Sequence, residues 1–488
     1  MFKPLDRRNG SGIAILVLLI LVLFFVPVHA LADNSSTPNR TTWSRTYHHG
    51  LEDVQPYWTE QTSDRGFIVT GLSPFSGAFV WKLDKGGNVE WGHSYIPKGY
   101  INSDGFSVEQ TRDQGYVIAG EALSLPGKHD FGTLFDGWVM KLDHTGNVEW
   151  SLTLGGSEDD WFRMVKQTSD RGYLAVGTTG CCSLGSDAWL VKLDSGGEVM
   201  WQKTYRSAGF VDANSFQQTS DNGFIVVGDA PVLGYIVAGW IFKTDSSGDI
   251  LWQKAYSVTN DNHFWSVQQT GDDGGYIVAG DVLHSKFPGS RGYDALFLKL
   301  DWKGNQVWEK LYVGGGYSLS PFSIRSTRDG GYIAAGLSLQ SDLGIPLPYL
   351  LKLDGTGSMV WQKNYGARIF PYGDVFRAAL PTRDGGLIVT GSNYDRPGGA
   401  WILKLDNNGG VSSDCPDGVV ANSTLLDVPV AQTNTIITGL NNSNLIITMT
   451  SVMMTGSDPV GQTQCLTGEA PGGQSRRNIG PDGPRSGI

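Results

Sequence analysis

Short apolar runs, each bracketed by glycine, recur along this chain: GFIVTG from Gly66, GYVIAG from Gly115, GYLAVG from Gly172, GFIVVG from Gly223, GYIVAG from Gly275, GYIAAG from Gly331 and GLIVTG from Gly386. A second apolar run follows each and ends in aspartate, at Asp84, Asp143, Asp194, Asp245, Asp301, Asp354 and Asp406. Six of these read Lys-Leu-Asp, and the fourth has Thr244 in place of leucine. Seven positions on stands a tryptophan in six units, at Trp91, Trp150, Trp201, Trp252, Trp308 and Trp361. The period of about fifty residues is that of a repeat array.

Each unit divides into four strands, A to D. In order they are the FxxVQQT run (Phe264 to Thr270), the GYIVAG run, the AWLVKLD run and the V-x-W-Q-K-x-Y run (Met200 to Tyr205). All are rich in β-branched and aromatic residues and bounded by Gly, Asp, Ser and Asn, which marks strands and hairpins. Between A and B lies Thr-x-Asp and then Gly, as at Thr168, Asp170 and Gly172; between C and D lies Asp-x-x-Gly, as from Asp194 to Gly197. The glycines are expected to supply positive φ in both turns. Four-stranded antiparallel units repeated about an axis protect their edges by closing, so the pattern predicts an all-β, seven-bladed β-propeller over residues 41–413. Closure is readable from a gap. After Asp406 the tryptophan slot holds Ser413, while Trp43-Ser-Arg-Thr-Tyr47 has the strand D sequence with no strand C before it. The amino-terminal strand is therefore expected to complete the last blade.

Composition adds context. Glycine, at 66 residues, and the low charged fraction of 17% suit many turns and sheets packed on both faces. A net charge of −11 without a basic stretch excludes nucleic acid as the expected partner. Residues 1–32, with Lys3, Arg7 and Arg8 ahead of an apolar run from Ile13 to Val26 and small residues at Ala30 and Ala32, read as a signal peptide or, uncleaved, a membrane anchor. That predicts an extracellular protein, secreted or attached to the cell surface. Residues 33–40 read as a flexible lead-in and 466–488 as a disordered tail. Four cysteines in an exported chain suggest two disulfides, most economically Cys181 with Cys182 and Cys415 with Cys465. The latter pair would staple a small β appendage, residues 414–465.

The A-to-B and C-to-D hairpins are short and uniform, whereas the D-to-A and B-to-C connections vary, so the face carrying the latter is the expected binding face. Glu121, Asp229 and Asp281 follow strand B directly there, as loop acids aimed at one mouth, where carboxylates suit Ca²⁺ or a cationic group. Two polar clusters enter strand A from the same face, Glu158-Asp159-Asp160-Trp161 and Asn260-Asp261-Asn262-His263. The candidate ligand-binding residues are thus Glu121, Asp229, Asp281, Asp160, Trp161, Asp261 and His263. Loop aromatics Phe131, Tyr235, Phe287, Tyr317 and Tyr394 are candidates for stacking on carbohydrate. The repeated tryptophans are expected to pack between blades, and the repeated lysines (Lys82, Lys141, Lys192, Lys299, Lys352 and Lys404) to be structural. No catalytic set stands out.

The Gly155 to Asp160 element, G-G-S-x-D-D, and the T-S-D-x-G-Y-x-x-x-G run after it resemble secreted prokaryotic β-propeller repeat families. That resemblance implies an exported propeller binding a surface protein or a polysaccharide, with no catalytic residues in common. A second resemblance, of Asp194, Gly197, Trp201 and the adjacent Cys181-Cys182 to pyrroloquinoline-quinone enzymes, implies the alternative: an oxidoreductase with calcium and quinone at the propeller mouth. The hairpin is one residue shorter than in those enzymes, which usually have eight blades. The Thr-x-Asp-x-Gly turns also resemble sialidase Asp-boxes, but no arginine triad accompanies them.

Overall fold

The computed structural model describes residues 42–48, 53–126, 133–181, 185–207, 209–232, 236–257, 261–271, 273–284, 292–313, 318–340, 345–365, 375–393 and 399–411, with the backbone of seven short strands between 418 and 466. It is a ring of seven antiparallel sheets. Blade 3 is typical, with strand A Asp159–Gln167, B Tyr173–Cys181, C Asp187–Leu193 and D Val199–Arg206. Blades 1, 2, 4, 5 and 6 span 55–97, 100–155, 212–257, 262–313 and 318–365. Blade 7 joins strands A to C, within 375–405, to the amino-terminal strand Trp43–His48. The register confirms the closure: Trp43 lies opposite Lys404 and Tyr47 opposite Ala400, as Trp201 lies opposite Lys192 and Tyr205 opposite Ala188.

Adjacent blades are joined by the strand D tryptophan. It meets the first aromatic of strand B in the next blade at six junctions: Trp43–Phe67, Trp91–Tyr116, Trp150–Tyr173, Trp201–Phe224, Trp252–Tyr276 and Trp308–Tyr332, with ring centroids 5.5–6.4 Å apart. At the seventh, Trp361 packs in the cluster containing Leu387. Each tryptophan also lies under the C-to-D hairpin glycine of the next blade. Gly197, for one, has φ 87° and a Cβ there would stand 2.7 Å from Trp150. A side chain at that glycine would meet two obstacles at once, the strain of the left-handed backbone and a collision with the indole. Its carbonyl is equally engaged. Tyr47, Tyr95, Tyr205, Tyr256, Tyr312 and Tyr365 each donate their hydroxyl to it, at 2.6–3.0 Å.

The A-to-B turn differs from expectation. The left-handed residue is the one before the glycine: Arg65 (φ 73°), Gln114, Arg171 and Asn222 in four blades, Gly274, Gly330 and Gly385 in the others. Gly66, Gly115, Gly172 and their counterparts are needed for space instead, since a Cβ would fall 2.1–2.3 Å from the carbonyl of the residue ending strand C. Over that glycine reaches the buried strand C lysine. Its Nζ pairs with the turn aspartate in every blade: Lys82–Asp64, Lys141–Asp113, Lys192–Asp170, Lys243–Asp221, Lys299–Asp273, Lys352–Asp329 and Lys404–Asp384, at 2.5–3.0 Å. Lys243 behaves like the rest although Thr244 breaks its sequence run.

Burial alone would raise these seven aspartates. The lysine, the threonine hydroxyl and the glycine N–H outweigh it and hold them below the usual carboxylate range, Asp273 and Asp329 at about 2. A folded-state pKa below the unfolded value gives stability that is present above about pH 4 and disappears as pH falls towards 2. Thermal melts should therefore show the melting temperature dropping through that interval and nearly flat above it; an unchanged melt at pH 2.5 (about one unit below the unfolded value) would refute the role given to these pairs.

Each sheet takes a fifth strand from the segment after the ring. Gly418–Val419 pairs with strand D of blade 6, Thr424–Leu426 with blade 5, Ala431–Thr433 with blade 4 and Thr438–Leu440 with blade 3. Ile446–Met449 then pairs with blade 2, Val452–Gly456 with blade 1 and Val460–Leu466 with Trp43–His48 of blade 7.

Candidate functional site

Strand A is innermost in every blade, and in every blade its pairing with strand B slips by one residue. The unpaired residue is Tyr57, Phe106, Arg163, Asn214, Trp265, Phe322 or Arg377. A β-bulge re-aims the side chain it carries. The local cause is the second glycine of the strand B run: a Cβ at Gly120, Gly177 or Gly228 would stand 1.7–2.0 Å from a strand A carbonyl. Only glycine lets the bulged strand approach so closely.

The bulged residues meet across blades. Tyr57 and Phe106 are edge-to-face at 5.1 Å, and the Arg163 guanidinium lies 5.0 Å from Phe106. Arg377 sits between Tyr57 (5.5 Å) and Phe322 (5.2 Å), and Trp265 meets Phe322 at 5.9 Å. Asn214 donates to the Phe264 carbonyl of the next blade. The seven side chains thus form a belt of aromatic rings, guanidinium groups and one amide along the inner wall. Cation–π contacts of this kind contribute on the order of 1 kcal/mol each.

Two residues towards the variable face, strands A and B oppose acids to acids. Asp104 faces Glu121 and Asp212 faces Asp229, while His263 faces Asp281. Glu121, Asp229 and Asp281 are not loop acids as expected from sequence. Strand B continues past them, to Ser124, Val232 and His284, and Asp229 and Asp281 are only 7% and 2% exposed. His263 Nδ1 lies 3.0 Å from Asp229 Oδ2, and the Phe264 N–H donates to Asp229 Oδ1. Trp265 Nε1 donates to Asp281 Oδ2.

Charge balance follows from these contacts. Burial alone would lower the His263 pKa, but the Asp229 hydrogen bond and charge, with Asp281 and Asp261 beyond, bring it up to about 9. Burial pushes Asp281 up to about 6 against the pull of His263 and Trp265, Asp104 to about 6, and Glu121, with Asp104 opposite, to about 8. Asp212 is raised by burial as well.

The structure thus brings Asp229, His263 and Asp281 together and sets Glu121 apart with Asp104 and Arg163. Trp161 joins the wall, with the Arg163 guanidinium 5.3 Å from its ring. Asp160 and Asp261 are occupied elsewhere. Asp160 accepts from the Gly156 and Gly180 N–H groups and the Thr179 hydroxyl, tying the D-to-A connection to the end of strand B. Asp261 accepts from the Val237 N–H. Cys181 ends strand B of blade 3; Cys182, Cys415 and the loop aromatics Phe131, Tyr235, Phe287, Tyr317 and Tyr394 lie outside the described residues, as do residues 1–40. Among the described residues no group of three or more His, Cys, Asp and Glu side chains is placed to hold a metal ion.

The belt itself is not legible in the sequence: its position, three before the first glutamine of FxxVQQT, varies from tyrosine to arginine, and the residue before it varies as well, from Pro56 and Gly105 to Phe162 and Ala213.

No family model matches the chain, and no curated protein does. Solved structures are similar in fold. A protein of unknown function from Dyadobacter fermentans is 11% identical, over 75% of this chain and 100% of that one, with a TM-score of 0.44. Sqt1 from Chaetomium thermophilum is 11% identical over 74% and 98%, with a TM-score of 0.40. A Bacteroides caccae protein of unknown function is 13% identical over 60% and 93%, with a TM-score of 0.32. At these values the likeness adds nothing beyond the ring. The chain is a seven-bladed β-propeller.

Proposed function

We propose that this protein is a secreted or surface-attached binding module that takes a carbohydrate or a protein segment at the axial mouth of its variable face. One observation carries the reading: the repeat is alike at every junction between blades and unlike at the seven bulges. Aromatic faces stack on sugar rings or side chains, while guanidinium groups and carboxylates orient hydroxyls and amides. The chemistry of the belt and the acids above it suits such a ligand.

The test is binding of the full chain to an array of neutral and acidic oligosaccharides and, separately, to candidate surface proteins. Trp265→Ala and Arg377→Ala should each weaken binding about tenfold or more, with unchanged circular dichroism. Trp302→Ala, on an exposed hairpin of blade 5, should leave it unaltered. Equal binding by all three variants would place the ligand off the axis and end the proposal.

A further inference from the structure

The seven strands after the ring have an order that no independent appendage would show. They visit blades 6, 5, 4, 3, 2, 1 and then 7, one strand per blade, each antiparallel to strand D. Taken in chain order, these strands go once round the ring against the direction of the repeats and end on blade 7. Its strands begin at residues 418, 424, 431, 438, 446, 452 and 460. A step of about seven extended residues reaches roughly 25 Å, enough to pair with one edge and cross to the next. Short pieces, six of the seven containing Thr, with links of which five of the six contain Asn or Ser, give a composition that suits such a path.

The surface covered is the outer edge of every strand D, an unpaired row of N–H and C=O groups in a four-stranded blade. Open edges of this kind invite pairing with other chains. The last contact is the longest: Val460–Leu466 pairs with Trp43–His48 over its whole length, Trp43 opposite Leu466 and His48 opposite Val460. The amino-terminal strand, joined to blade 7 by pairing and packing without a covalent link, is thereby gripped on both edges. Cys465 stands opposite Ser44 in that pairing. Cys415 lies three residues before the first contact, in sequence between blade 7 and the edge of blade 6.

We propose that residues 415–465 form a hoop around the propeller, closed by a Cys415–Cys465 disulfide, that occupies all seven outer edges and locks the noncovalent closure of the ring. The bond would join the two ends of a path that has gone once round, so blade 7 could not release Trp43–His48 without stripping the hoop from its edge.

Register-specific cross-linking in the full chain tests the path. Ser257→Cys with Ala431→Cys, in blade 4, and Arg206→Cys with Thr438→Cys, in blade 3, should each give an intramolecular disulfide by peptide mapping. Ser257→Cys with Thr438→Cys should give none. Cross-linking of the mismatched pair, of neither matched pair, or only between two copies of the chain would overturn the hoop. Mapping of the unaltered oxidised chain should find Cys415 joined to Cys465, and any other partner for Cys465 would overturn its closure. Unfolding in urea should then accelerate about tenfold or more on reduction, and Cys465→Ser should abolish that difference. A reduction effect that survives Cys465→Ser would assign it to Cys181 and Cys182 and remove the locking role.

Discussion

Replacing Trp43 with alanine should destabilise the ring by about 3–5 kcal/mol, the cost of emptying a fully buried large aromatic site. The indole is 0% exposed, its ring is edge-to-face with Phe67 of blade 1, and it lies under Gly87, whose added Cβ would stand 2.9 Å away. Its Nε1 donates to the Lys85 carbonyl, so truncation also leaves that junction without one hydrogen bond. Trp201 makes the same ring contact with Phe224 inside the array. The two differ in what holds their strand: Trp201 sits on a hairpin, whereas Trp43 sits on a strand that is not continuous with its blade. Urea denaturation of Trp43→Ala should therefore show a lower midpoint. Hydrogen exchange should locate the new opening in strand C of blade 7 and strand B of blade 1, with blades 3 and 4 protected. Loss of protection spread evenly round the ring would mean that the seam is no weaker than any other junction. Trp302→Ala, at an exposed position, should change stability by no more than about 0.5 kcal/mol.

Why the seam could be found in the sequence and the belt could not is a question of which contacts repeat. A tryptophan that must enter the space beneath the next blade's glycine recurs seven times, and one displaced copy at Trp43 reveals the circle. The buried lysines were equally legible because a cation that caps the same turn in each blade must recur with it. Positive φ was assigned to the wrong residue of the A-to-B turn. Arg65, Gln114, Arg171 and Asn222 tolerate the left-handed conformation there, while the following glycine is demanded by a carbonyl from strand C, a contact between strands that no local turn rule contains. The bulges were hidden for the same reason: slippage between A and B depends on a glycine in the other strand. Of the candidate acids, sequence placed Glu121, Asp229 and Asp281 at one rim, but burial and partners separate them into groups with different work. Asp160 and Asp261 look identical to the others in a string of letters and are in fact taken up by backbone N–H groups.

Glu121→Gln should stabilise the protein at neutral and alkaline pH, the opposite of what most substitutions at a half-buried strand position do. Glu121 stands directly across from Asp104, and burial together with that neighbour pushes its carboxyl up to about 8 from an ordinary 4.5. Below the ordinary value both the folded and unfolded chains carry the proton, and the group costs nothing. Between 4.5 and about 8 the unfolded chain gives up its proton while the folded one keeps it, so stability falls as pH rises. Above that the folded form ionises too and the penalty is complete, on the order of a few kcal/mol. Glutamine, neutral at every pH, escapes it. The melting temperature of the variant should match the parent near pH 4 (about the unfolded carboxyl value), exceed it increasingly up to pH 8 or so, and stay higher by a constant margin beyond. Asp229→Asn should instead lower stability, because Asp229 accepts the Phe264 N–H and is hydrogen-bonded to His263. The contrast separates the two kinds of carboxylate at the mouth: one supports the wall through its hydrogen bonds, and the other is held protonated up to about pH 8 against the interest of the fold. If the Glu121→Gln melt follows the parent at every pH, the opposed acids exact no penalty and the physical case for a ligand at that position fails. If the gain appears and oligosaccharide or protein binding is lost with it, the stability given up there is what the binding site uses.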